Sequence, residues 1–144
     1  MTSIRQAMST RQIDSWLVER FAQVADETYR HFNARVVATV GPERMMGVRT
    51  PDQRRIAREA ERLNGIDSWL DALPHRLFEA TQVHAFIICR MHDYGTCIRR
   101  IDQLLPHIDN WATCDQMSPK VLAKRPDETC THALRWMASA HTYT

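Results

Sequence analysis

Trp111 and Asp115 stand four residues apart in the segment IDNWATCDQM. On a helix that spacing projects both from one face. A carboxylate held beside an indole is a pair that could do chemistry, although a packing tryptophan and a solvated aspartate would read the same way. A second set of residues is cationic. Of 19 basic residues only Lys120 and Lys124 are lysines, leaving 17 arginines. Arginine suits planar, two-pronged contacts to phosphate or carboxylate, but a coding bias toward arginine would also produce this excess. Arg54, Arg55, Arg58 and Arg62 fall within about a 100° arc of one helix, opposite Ile56, Ala60 and Leu63. The stripe could meet phosphates, or it could be an ordinary exposed face laced with Glu59 and Glu61. Lys120, Lys124 and Arg125 form a second basic group, which could equally be favourable charges near a helix C-terminus.

Other reactive residue types point nowhere in particular. Cys89, Cys97, Cys114 and Cys130 contain no CxxC and match no common zinc spacing. They read as free thiols on or near helix core faces. The seven histidines are scattered, and pairing His84 with His92, or His132 with His141, would be arbitrary. Neither a metal nor a cofactor is expected.

The elements that must position these residues read as helices joined by short turns. At 144 residues, 44% of them hydrophobic, the chain makes one domain with a real core. Only 4 glycines and 6 prolines are too few for the turns of an all-β domain. No apolar run reaches the roughly 18 residues of a membrane span, and the N-terminus lacks a secretory signal, so a cytoplasmic location is expected. A net charge of +2 does not by itself argue for nucleic acid; the distribution of charge has to do so. Helical periodicity covers residues 3–24, with Ile4, Met8, Ile13, Trp16, Leu17 and Phe21, and then residues 26–40. Thr50 reads as an N-cap, with Pro51 in the first helical position and Gln53 completing a capping box. Asn64-Gly65 ends that helix. Further helices are predicted near residues 77–91, 96–105, 109–117, 119–124 and 127–139. Helices this short, closely connected, pair antiparallel. A stacked α-solenoid and a compact bundle both fit.

The stretch GVRTPDQRRIA, from Gly47 to Ala57, resembles the opening motif of the AlkD-like DNA alkylation repair family, the HEAT-like-repeat alkylpurine DNA glycosylases. LPHRLFEATQVHAFI, from Leu73 to Ile87, resembles that family's LPxREF-type helix. IDNWATCDQM resembles its catalytic helix. SPKVLAKRP, from Ser118 to Pro126, and RWMASAHTYT, from Arg135 to Thr144, follow in family order. The resemblance covers residues 43–144, while residues 1–42 match only as generic helices. It implies an all-α superhelix of HEAT-like repeats in a single domain, with duplex DNA on a basic concave face. It implies hydrolysis of the N-glycosidic bond of cationic N3- or N7-alkylpurines. By position, Asp115 would be the catalytic carboxylate and Trp111 the aromatic beside it. Lys120, Lys124, Arg125 and the Arg54–Arg62 stripe would meet DNA.

One carboxylate is enough for such a reaction. A glycoside hydrolase usually needs a second acid to protonate its leaving group. An N3- or N7-alkylated purine is already cationic and leaves neutral. What remains is to stabilise an oxocarbenium-like sugar and orient a water. Members of the family are considerably longer, and there the segment resembling HTYT leads into a DNA-contacting arginine and a later tryptophan. The expectation is therefore a truncated solenoid, weak or inactive, whose last helix leaves Leu134, Trp136 or Met137 uncovered. Such a face favours a homodimer through the C-terminal helices. A non-enzymatic helical-repeat protein that binds DNA or a protein partner is the alternative reading.

Overall fold

Residues 78–89, FEATQVHAFIIC, are mostly apolar and gather their polar residues on no one face, and a helix with no polar face has to lie inside. In the computed structural model, which describes residues 5–144, every residue from Phe78 to Ile88 is buried. The other elements are arranged about this helix. In chain order they are α1 (Thr10–Val24), α2 (Glu27–Val36), α3 (Thr50–Ala60), α4 (Ile66–Asp71), α5 (Phe78–Cys89), α6 (Tyr94–Leu104), α7 (Trp111–Gln116) and α8 (Pro126–Met137). Short 3-10 turns lie at Pro42–Arg44, Leu105–His107 and Lys120–Lys124. There is no strand among the described residues. Residues 3 and 4, expected to open the first helix, lie outside the described residues.

The packing is layered. Helices α3, α5 and α7 stack in sequence; α1 lies against α3, α4 and α5, and α6 lies against α5 and the turn Lys120–Lys124, which in turn carries α8. Two hydrophobic clusters meet across α5. Ala80, Val83, Phe86 and Ile87 face Ile13, Leu17, Phe21, Ile56, Ala60 and Trp69. Ala85 and Ile88 face Cys97, Ile98, Ile101, Leu104 and Ile108. A smaller cluster, Val37, Val40, Met45, Phe78 and Ala112, seats α7 against the chain that follows α2.

Several local expectations need correcting. Arg49, not Thr50, is the N-cap of α3; Thr50 is already helical, and there is no capping box. Gln53 is buried and donates to the Val48 carbonyl instead. Its buried side chain reaches back to the residue just ahead of the N-cap instead of closing a capping box. The capping box that does form is at α1, between Ser9 and Gln12. The segment 119–124 is a 3-10 turn rather than an α-helix. Cys130 is exposed, whereas Cys97 is buried. The unforeseen α4 starts at Gly65, whose φ of +105° suits glycine and where a Cβ would run into the Met8 carbonyl.

Candidate nucleic-acid interface

Helix α7 has only six residues, too few to hold a helix by intrinsic propensity. Its geometry is imposed from both ends. At the start, Asn110 is 1% exposed and its side chain accepts the Thr113 N–H at 2.7 Å. Its amide nitrogen donates to Asp109 at 3.0 Å. Asp109 in turn accepts from Arg44 at 2.6 Å, and Arg44 also donates to the Arg76 carbonyl at 2.9 Å. Burial pushes the Asp109 carboxyl up, but the hydrogen bonds from Arg44 and Asn110 and the guanidinium charge outweigh it, so the carboxyl lies below its ordinary range. At the far end, the Cys89 thiol donates to the Gln116 carbonyl at 3.3 Å and accepts the Ser118 N–H at 3.4 Å. Burial raises the Cys89 thiol above its ordinary value, partly opposed by that N–H and by Arg54. This thiol is thus held as a neutral bridge.

Between these ends α7 presents the pair. Trp111 is 45% exposed, and its indole N–H donates to the Val36 carbonyl at 3.2 Å. One hydrogen bond therefore fixes the ring while much of its surface stays open. Asp115 is exposed and has no hydrogen-bonded partner among the described residues. Ala112 and Thr113, on the other side of the helix, are buried.

Beside α7 lies a recess of about 360 Å³ lined by Arg54, Arg58, Phe86, Cys89, Arg90, Gln116, Ser118 and Lys120. A second, of about 310 Å³, shares Cys89, Arg90 and Lys120 and continues to His92 and Lys124. Arg54 lies over the Phe86 ring, 5.1 Å from its centroid, and donates to Gln116 at 3.3 Å. The first recess therefore reaches the residue next to Asp115. Arg54, Arg58, Lys120 and Lys124 have no acidic partner among the described residues, and Arg90 is held by Glu61 at 3.0 Å.

The predicted basic residues thus divide. Arg54, Arg58, Lys120 and Lys124 converge on the two recesses. Arg55 turns to Asp52 at 3.1 Å and Glu59 at 3.5 Å, and neither recess includes it. Arg62 is exposed beyond the end of α3 and lines neither recess. Arg125 lies over the Tyr94 ring at 5.1 Å and pairs with Glu128 at 3.5 Å, on the α6–α8 side. Sequence reasoning missed Arg90, Phe86, Gln116 and Ser118 in the recess, and Arg44, Asp109 and Asn110 behind α7. Asn110 alone carried a local signal, an Asn at the start of the helix expected near 109–117, where a capping residue is favoured.

At the other end of the fold Trp136 is only half exposed. It packs against the hydrophobic cluster that includes Leu104 and Leu105, as Tyr143 does, and its indole donates to Asp102 at 2.8 Å. Of the three residues expected to be uncovered here, Trp136 is the one drawn in, by its bond to Asp102 on α6. Leu134 and Met137 are 62% and 79% exposed.

A stack of short helices with a basic hollow beside a tryptophan–aspartate helix defines a class of helical proteins suited to phosphate-rich ligands. A family model described as DNA alkylation repair enzyme matches residues 17–144, and the chain belongs to that family. Comparison with curated proteins and with solved structures gives no match.

Proposed function

We propose that the chain hydrolyses the N-glycosidic bond of cationic N3- or N7-alkylpurines in duplex DNA. Asp115 is the carboxylate that stabilises the oxocarbenium-like sugar and orients water, and Trp111 packs beside the sugar or the damaged nucleotide. Arg54, Arg58, Lys120 and Lys124 meet the backbone phosphates. The observation that carries this reading is the exposed, unpaired Asp115 next in sequence to a residue lining a hollow rich in unpaired cations. Arg55 and Arg125 are not part of it, because each already has acidic neighbours.

The test is Asp115→Asn assayed on a duplex oligonucleotide bearing one N7-methylguanine. Base release is expected to disappear while duplex affinity persists. Equal release by the variant removes Asp115 from the mechanism.

A second reading, a non-enzymatic DNA or protein scaffold that self-associates through α8, is favoured by one observation, the exposure of Leu134 and Met137. It predicts duplex binding with no base release by the wild-type chain.

A further inference from the structure

Helix α7 is one and a half turns long and carries both residues of the proposed pair, so whatever sets its heading sets the position of Asp115. Three residues outside the pair do this through a continuous chain of hydrogen bonds. Arg44 is anchored on the Arg76 carbonyl, immediately before α5. It grips Asp109, Asp109 accepts from Asn110, and Asn110 caps Thr113, the third residue of α7. Asn110 is the buried link, with both its polar atoms used. Neither Arg44 nor Asn110 lines a recess. We infer that Asn110, tethered through Asp109 to Arg44, is a positioning residue that aims the Trp111–Asp115 face.

The inference deepens the excision reading and rests on it for its catalytic meaning. An N-cap accepts one of the helix's otherwise unpaired N–H groups. In a long helix its loss frays one end. In α7 the capped turn is about two-thirds of the helix, so its loss loosens the whole element against its other ties, at Val36, Cys89 and Tyr143. Small misplacements of a reacting group are costly: about 1 Å is worth roughly 100-fold in rate. Phosphate contacts made from α3 and the Lys120–Lys124 turn do not pass through this chain of bonds.

The deciding experiment compares Asn110→Ala with Asn110→Ser, which differ by one hydroxyl that restores the cap. Single-turnover release of N7-methylguanine, duplex affinity at fixed salt, and amide exchange over residues 112–115 are measured for both and for wild type. Release by Asn110→Ala is expected to fall on the order of 100-fold with affinity unchanged, exchange to quicken about 5-fold, and Asn110→Ser to recover most of both. Alanine and serine variants behaving alike overturns the inference, as does a loss of release that only follows a loss of affinity. If the wild-type chain releases no base, the excision reading falls. The exchange comparison then decides the positioning role alone, with faster exchange in alanine than in serine upholding it and equal exchange overturning it. Should Asn110→Ala not fold, Arg44→Met loosens the same chain from its outer end and is expected to show the same split between release and affinity.

Discussion

Thr113 has no exposed surface, and its hydroxyl has no partner. A buried unpaired hydroxyl costs about 1–3 kcal/mol relative to an apolar group of the same shape. Thr113→Val keeps the backbone N–H that Asn110 caps and removes only the orphan. It is expected to raise the unfolding free energy by about 1 kcal/mol, read as a higher urea midpoint at unchanged slope. The interior also holds a histidine pair. His75 stacks on Trp69, with ring centroids 4.0 Å apart, and bonds His84 at 2.8 Å. Burial lowers His75 to about 4, with Asp14 opposing and His107 assisting, and holds His84 well below its ordinary value. The unfolded chain takes up these protons near pH 6.5, while the folded chain does not. Stability is therefore full above about pH 6.5 and is lost as pH falls toward 4. A urea midpoint that drops between pH 7 and pH 5, and drops less in His75→Phe/His84→Leu, is the expected result. These pairings were not legible in the sequence, because residues nine apart meet only after the α4–α5 connection turns back.

At the scale of elements, what could be read ahead of the structure was what depends on neighbours in the chain. The apolar run 77–91 and the helix expected near 96–105 follow from local pattern, and they became α5 and α6, whereas the run 26–40 yielded a helix that stops at Val36. Where tertiary packing decides, the pattern misled. Gln53 looked like a cap partner but is buried and donates to the Val48 carbonyl. The stripe Arg54–Arg62 looked uniform on a helical wheel, yet Glu59 and Asp52 claim Arg55, and Arg62 lies past the helix end. This division makes a prediction. Each lost phosphate contact lowers the slope of log affinity against log salt by about 0.9. Lys120→Ala/Lys124→Ala is expected to reduce the slope for duplex DNA by about 2. Arg55→Ala is expected to leave it unchanged. Equal effects of the two variants would show that pairing with Asp52 and Glu59 does not withdraw Arg55 from DNA.

At the scale of the whole molecule, α3, α5 and α7 stack so that one hollow runs from the unpaired arginines of α3 to the end of α7. No helix among the described residues is long and apolar enough to cross a membrane. Leu134 and Met137 remain open on α8, and exposed apolar faces tend to find partners. Sedimentation at micromolar concentration is expected to show self-association that Leu134→Glu/Met137→Glu abolishes; a wild-type monomer would remove α8 as an interface. The central claim concerns the reaction itself. With Asp115 as the proposed carboxylate and no acidic side chain among the residues lining the recess, the proposed reaction calls for a base that already carries positive charge. Two duplexes of identical sequence, one bearing N7-methylguanine and the other a neutral uracil at the same position, separate this account from its competitors most directly. The account predicts enzyme-dependent release of the methylated purine and none of uracil. Release of uracil at a comparable rate, or of neither base, would contradict it.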